Sequence, residues 1–248
     1  MVLLKIIIGL LRLPFALLPG TIGQTTATKL YSNGVRFQQK GMMEEAIAEY
    51  DKVLERDPYF VQAYSNRGAA YHQLGNLDLT IKNLDEAIRL RPKMAVGYSN
   101  RGMAYGSMGQ FRKAIVDLNS AIQLNPKFAD FYSSRGYLQK EAGRPQNALR
   151  DLDRAISIDS KFPEAYNNRA DVYLSLNQPQ QAVGDLDEAI RLDRRFAIAY
   201  VNRSLAWTMM GRDREAQADV ATAASMGLDR GTIMAKIEEL KAERQVGG

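Results

Sequence analysis

The chain has 248 residues, of which 46% are hydrophobic and 25% charged, and its formal net charge is +5. This apolar content is enough for a packed core and excludes a mainly disordered protein. The absence of cysteine and the presence of one histidine exclude disulfides, thiolate nucleophiles and multi-histidine metal centres, so we expect no cofactor or metal.

Residues 1–26 form a hydrophobic segment in which Lys5 and Arg12 interrupt an apolar run. A central arginine makes insertion of residues 1–20 as a spanning helix energetically close to balanced. Lys5 and Arg12 are seven residues apart and share one helical face, which fits a helix lying in the lipid headgroup layer equally well. We therefore expect a membrane-associated protein anchored by this segment.

Two alternatives for residues 1–26 stay open. A cleaved signal, with Thr25 to Ala27 as its cleavage region, would make the protein secreted or periplasmic. A helix packed against the rest of the chain or against a partner is the other alternative.

A period of 34 residues organises the chain after this segment. Pro58, Pro92 and Pro126 follow it, and so do the glycines from Gly34 to Gly136. The period closes six times without an insertion, giving the units 27–60, 61–94, 95–128, 129–162, 163–196 and 197–230. Internal self-similarity at such a spacing indicates a stack of supersecondary units, each too small to bury its own apolar surface.

Each unit carries two apolar stripes at helical spacing. When the residues are counted from the start of each unit, positions 4, 8 and 11 form the first stripe, and positions 20, 21, 24, 27, 28 and 30 the second. Position 15 is glycine in five units and Asn177 in the fifth, which predicts a left-handed C-cap between the stripes. Small residues at positions 8 and 20 allow close approach, so the pattern predicts a tightly packed helical hairpin.

These units resemble tetratricopeptide repeats, whose 34-residue pattern runs through a large aromatic, Gly, Tyr, Ala, an aromatic or Leu, and Pro. The resemblance covers residues 27–230 and implies an all-α fold: a right-handed superhelical solenoid of antiparallel helix pairs, its concave wall built from the first helix of each unit. Departures are few. Ser160 and Arg194 replace the last proline, and Gln139 replaces the aromatic at position 11.

Residues 231–248 contain one more apolar stripe, formed by Ile233, Met234, Ile237 and Leu240. A stack of repeats would otherwise leave the apolar flank of its last unit exposed. We expect a C-terminal capping helix here, followed by a short tail.

The groove implied by the resemblance is expected to present positions 2, 6, 9 and 13 of the first helices. Asparagine dominates position 6, and an amide can both accept from and donate to the backbone of an extended peptide. A similar asparagine series holds peptides in the repeat domain of O-linked N-acetylglucosamine transferase. The candidate peptide-binding residues are Asn66, Asn100, Ser134, Asn168 and Asn202 at position 6, with Ser65, Ser99, Ser133 and Asn167 at position 5.

An alternative for the asparagines stays open, namely that they tie neighbouring first helices together or bind water. The lysine-rich carboxylate clamp of chaperone-adaptor repeats is missing, because position 5 never carries lysine and position 2 includes Asp130 and Glu164. An acidic C-terminal tail is therefore not the expected ligand.

Arginine recurs at position 7, from Arg67 to Arg203, and could suggest an RNA partner. Position 23 of the second helix offers Asp117, Asp151, Asp185 and Asp219, so we expect a structural Arg–Asp pair in each hairpin instead. The sequence lacks the dense block of basic residues that would indicate nucleic-acid binding.

The sequence therefore predicts a non-enzymatic interaction scaffold or adaptor that binds a protein or peptide partner in its groove at a membrane. Phosphate-binding loops, metalloprotease motifs and nucleophile elbows are all missing. The alternative is a structural or assembly subunit of a membrane-associated complex that uses its convex face or its ends.

Overall fold

The computed structural model describes residues 26–246, with side chains to Arg244. The described residues form α-helices joined by short turns, without any strand. The helices are α1 Thr26–Gln39, α2 Met43–Arg56, α3 Val61–Gln73, α4 Leu77–Leu90, α5 Ala95–Ser107, α6 Phe111–Leu124, α7 Ala129–Glu141, α8 Pro145–Ile158, α9 Pro163–Ser175, α10 Pro179–Leu192, α11 Ala197–Met209, α12 Asp213–Ser225 and α13 Arg230–Val246.

The chain divides into two compact parts, a first unit of residues up to Pro126 and a second unit from Lys127 onward. Within each unit every helix packs against the next one along the chain, and alternate helices also touch: α1 with α3, α3 with α5, α7 with α9, and α9 with α11. The predicted all-α architecture of paired repeats is confirmed. Odd-numbered helices up to α11 are the first helices of the repeats, and even-numbered helices are the second.

The turn inside each hairpin is fixed by the residue at position 15. Gly109 has φ 72° and Asn177 φ 57°, both in the left-handed region, as the C-cap prediction required. The amide of Gln110 donates to the carbonyl of Tyr105 at 2.9 Å, a bond that closes the end of α5. Helices α8, α9 and α10 also begin on proline, where the missing N–H costs nothing.

Small residues let the two helices of a hairpin approach closely. A Cβ placed on Gly102 would lie 2.9 Å from the carbonyl oxygen of Ala114, and one on Gly136 would lie 2.8 Å from Cγ of Leu152. Ala114 and Leu152 are both fully buried. Position 8 thus makes the close contact that the sequence pattern predicted, with position 20 in the third repeat and with position 24 in the fourth.

The last helix covers the C-terminal end of the second unit. Ile233 and Ile237 of α13 are buried against Val220 and Ala223, and Asp229 accepts a hydrogen bond from the amide of Thr232 at 2.6 Å. Arg244 donates to the carbonyl of Thr208 at 2.7 Å. This places a cation at the C-terminus of α11, where the helix dipole favours one.

The N-terminal segment with Lys5 and Arg12 lies outside the described residues. Within residues 26–246, none of the helices combines the length and the apolarity that crossing a bilayer requires.

Candidate protein-binding surface

The first-helix face is the surface formed by positions 2, 6, 9 and 13 of the first helices in each unit. These positions were predicted to line the binding groove. The structure places them with very different exposures, and the differences follow from how neighbouring first helices touch.

Position 6 asparagines form a bond to the preceding first helix in three of four cases. Asn66 Nδ2 donates to Tyr31 Oη at 2.9 Å, Asn168 Nδ2 to Ser133 Oγ at 3.1 Å, and Asn202 Nδ2 to Asn167 Oδ1 at 2.9 Å. The acceptor always stands at position 5, 35 residues earlier. The side-chain N–H groups of these three asparagines therefore tie neighbouring first helices together, as the alternative interpretation expected.

Burial corrects the prediction that all nine candidate residues line an open groove. The buried ones are Asn66, Asn100, Ser65, Ser99, Ser133 and Asn167, each at most 7% exposed. The half-buried ones are Ser134, Asn168 and Asn202. Single-helix periodicity placed position 5 beside the groove, whereas contacts between neighbouring first helices enclose it.

Asn100 departs from this pattern. Its Nδ2 is buried and has no hydrogen-bond partner, although Ser65 occupies the equivalent position on the preceding first helix. In contrast, the side chains of Asn168 and Asn202 are only half-buried, and among residues 26–246 no hydrogen bond reaches their amide oxygens. These two side chains are held through nitrogen and keep an acceptor.

The arginine at position 7 pairs with carboxylates from two hairpins. Arg101 donates through Nε and Nη2 to both oxygens of Asp117, each at 2.8 Å, and through Nη1 to Asp85 at 2.6 Å. Asp117 belongs to its own hairpin and Asp85 to the preceding one. Hydrogen bonding to Asp117 raises the pKa of Arg101 above its ordinary value.

The same arrangement recurs in the second unit, where Arg169 pairs with Asp185 and Asp153, and Arg203 with Asp219 and Asp187. Arg135 pairs with Asp151 of its own hairpin. Each of these guanidinium groups also lies over the tyrosine three residues earlier, at 5.8, 5.5 and 5.7 Å from the ring centre. The predicted Arg–Asp pair is confirmed in the hairpins of Arg101, Arg135, Arg169 and Arg203, whereas Arg67 meets Asn83 at position 23. The second carboxylate, at position 25 of the preceding hairpin, was not predicted.

The first-helix face has no charged side chain at its defining positions in the first unit. Those positions carry Thr28, Ser32, Val35, Gln39, Gln62, Asn66, Ala69, Gln73, Val96, Asn100, Met103 and Ser107. His72 lies next to them, with Nε2 3.4 Å from Ser107 Oγ, and burial lowers its pKa. This part of the face offers neutral polar and apolar groups.

In the second unit the face is acidic. Its defining positions include Asp130, Glu141, Glu164 and Asp171. Lys140 lies among them, with Nζ 2.7 Å from Asp171 and 3.2 Å from Glu141. Burial lowers the pKa of Lys140, but the two carboxylates outweigh this effect and the net shift is upward. Apolar side chains share the face, namely Tyr137, Ile198, Leu205 and Met209.

Across residues 26–246, histidine and the carboxylates form no cluster of three that could hold a metal ion.

Sequence comparison gives matches to repeat families. A family model described as tetratricopeptide repeat matches residues 61–94 and 95–128, a second model described as TPR repeat matches 34–75, and a third, again described as tetratricopeptide repeat, matches 152–184. Together these matches cover more than half of the chain. No curated protein sequence matches it.

Solved structures share the fold. TTC0263, a thermophilic TPR protein of Thermus thermophilus, is 20% identical with a TM-score of 0.65, covering 73% of this chain and 98% of that one. MamA is 28% identical with a TM-score of 0.56, covering 66% and 96%. YrrB, described as a TPR protein with an unusual peptide-binding site, is 17% identical with a TM-score of 0.52, covering 76% and 97%.

Proposed function

The chain belongs to the tetratricopeptide repeat family, whose members are typically non-enzymatic protein-interaction scaffolds, and we propose that it binds a partner polypeptide on its first-helix face. Asn168 and Asn202 carry this proposal, because their nitrogens are held and their oxygens accept no bond from residues 26–246. Two fixed acceptors one repeat apart can receive backbone N–H groups of an extended segment without reading its sequence.

The surroundings of these two asparagines indicate the character of the segment. Asp171 and Glu164 lie on the same face, and Ile198 and Leu205 add apolar surface. A segment that combines basic and apolar side chains would complement both features. Its binding is expected to weaken as salt rises, since the carboxylates are partly exposed.

A peptide selection on the full chain tests the proposal. Peptides selected from a random library would be measured by fluorescence anisotropy against the parent, against Asn168→Ala with Asn202→Ala, and against Gln180→Ala with Gln181→Ala. The last pair removes two exposed amides from α10 of the same unit. We expect the asparagine pair to weaken binding at least about 10-fold, since each lost buried hydrogen bond costs about 1 kcal/mol, and the glutamine pair to leave it unchanged.

Backbone recognition makes a sharper prediction. N-methylation of the selected peptide should abolish binding at two positions and be tolerated elsewhere, because only two N–H groups meet the asparagine oxygens. Equal tolerance at every position would contradict the proposal.

A structural subunit is the second candidate. Val116 is 62% exposed on α6 and Tyr59 is 73% exposed after α2, both outside the first-helix face. Contacts made there would survive the asparagine substitutions and be lost in Val116→Asp.

We further propose that residues 1–20 hold the protein at a membrane, on the evidence of their apolar composition with Lys5 and Arg12. Leu10→Asp with Leu11→Asp should release the full chain from the membrane fraction, whereas Leu124→Asp, on an exposed part of α6, should not. A product whose N-terminus begins near Ala27 would instead identify a cleaved signal.

A further inference from the structure

Two positions of the first helices pack against the preceding repeat. In α3 these are Ala63, which lies in a cluster with Ala46 and Tyr50, and Ala70, which lies in a cluster with Met43 and Ile47. They stand at positions 3 and 10. The equivalent residues of α5, α9 and α11 are buried too, namely Gly97, Ala104, Ala165, Val172, Ala199 and Ala206.

Helix α1 carries cations at the same two positions. Lys29 and Arg36 are exposed, and a third exposed cation, Lys40, lies in the turn directly after the helix. We call these three residues the α1 flank. None of them forms an ion pair with any described carboxylate, whereas every arginine at position 7 does. The α1 flank therefore does not suit the packing of another repeat, which would bury unpaired charges.

The charge distribution of the chain singles out the same region. Residues 1–43 contain no Asp or Glu and five basic residues, Lys5, Arg12, Lys29, Arg36 and Lys40. These five account for the entire formal net charge of +5, because the other 28 basic residues are balanced by 28 acidic ones. The first acidic residues, Glu44 and Glu45, belong to the first turn of α2.

We propose that the α1 flank docks on the anionic headgroups of the membrane that holds residues 1–20. This inference rests on the membrane association proposed above and adds the surface that faces the lipid. The apolar segment ends at residue 20 and α1 begins at Thr26. Because so few residues separate them, a membrane that holds the segment would lie close to the α1 flank. A basic surface next to a lipid anchor gains from the negative surface potential, and one weak anchor usually needs such a second contact for stable attachment.

Vesicle binding by the full chain tests the docking. Sedimentation would compare phosphatidylcholine vesicles with vesicles that also contain phosphatidylglycerol. The variant Lys29→Gln, Arg36→Gln, Lys40→Gln removes the flank charges. The matched control Lys82→Gln, Lys93→Gln, Arg112→Gln removes three exposed, unpaired cations of the same unit. Thermal melting of both variants checks that they are folded.

We expect the flank variant to bind anionic vesicles on the order of 100-fold more weakly, with about fivefold lost per cation. Binding to neutral vesicles should not change, the control should behave like the parent, and added salt should reduce the difference.

Equal binding of parent and flank variant to anionic vesicles would overturn the docking and make the α1 flank only a solvated end of the repeat array. It would leave the attachment by residues 1–20 intact if neutral vesicles were still bound. If the parent bound neither the neutral nor the anionic vesicles, the attachment by residues 1–20 would be overturned, together with the docking that depends on it.

Discussion

The first and second units are built from the same helical hairpin but differ in their side chains at two sets of positions. These are position 23, which faces the arginine at position 7, and the positions of the first-helix face. In the second unit every position 7 arginine meets an aspartate at position 23. In the first unit Arg101 meets Asp117 in the same way. Arg67, however, meets Asn83 at 2.7 Å, with Asp51 as its only carboxylate among the described residues. The first unit thus has a neutral amide at one position where the other repeats with this arginine have a carboxylate.

The first-helix faces of the two units also differ in charge. Amides and hydroxyl groups dominate the face of the first unit, while Asp130, Glu141, Glu164 and Asp171 make that of the second unit acidic. Neither difference alters the helix pair, because both lie outside the alanine and leucine positions of the core. Repeats can therefore vary the ligand surface and the ionic contacts independently of the fold.

Removal of a position 23 side chain should show the largest effect. Asp185→Ala leaves the guanidinium of Arg169 with Asp153 alone, and we expect the free energy of unfolding to fall by about 3 kcal/mol. Asn83→Ala in the first unit removes a neutral acceptor and should cost about 1 kcal/mol. Urea unfolding of both variants measures the difference. Equal losses would show that the charge at position 23 adds nothing to the bond.

Substitution at position 8 should give the next largest effect. The room for a Cβ atom between the two helices of a hairpin differs among repeats at this position. Gly102→Ala would bring Cβ to 2.9 Å from the carbonyl of Ala114, which cannot move aside as a side chain could. We expect a loss of about 2 kcal/mol, the strain exceeding the gain in helix propensity.

The fifth repeat already carries Ala170 at this position, fully buried. Ala170→Gly should therefore lose stability as well, by about 1 kcal/mol. A stabilising Gly102→Ala in thermal melts would mean that the α5–α6 contact relaxes freely.

The sequence predicted contacts within a hairpin better than contacts between hairpins. Arg101 and Asp117 lie in one repeat, so helical periodicity and the C-cap at Gly109 suffice to bring them together. Asp85 and the bond from Asn202 to Asn167 depend on how one hairpin packs on the next. A single helical stripe does not specify that packing. The signal available in the sequence was the recurrence of polar side chains at position 6 and, 35 residues earlier, at position 5 of the preceding repeat.

The asparagines at position 6 give a smaller difference between units. Asn202→Ala removes a bond to Asn167 and leaves that buried amide without its donor, so we expect a loss of about 1 kcal/mol. Asn100→Ala removes a buried N–H group that has no partner, and its effect should be close to zero. Urea titrations at one pH would compare the two. A larger loss for Asn100→Ala would indicate that a bound water satisfies its amide.

The smallest expected effect is a pH dependence confined to the first unit, because His72 is the only histidine in the chain. Burial lowers the pKa of His72 from its ordinary value of 6.5, so the folded state binds fewer protons than the unfolded state. Stability should therefore fall as the pH drops below about 6.5 and stop falling once the pH is below the folded-state pKa.

The variant His72→Gln should lose this slope between about pH 7 and about pH 5, a range that stays above the ordinary pKa of the carboxylates. Urea midpoints of the parent and the variant across this range provide the measurement. Identical slopes would mean that protonated His72 reaches water without cost, and that the side chain is more open than its half-buried place beside Ser107 implies.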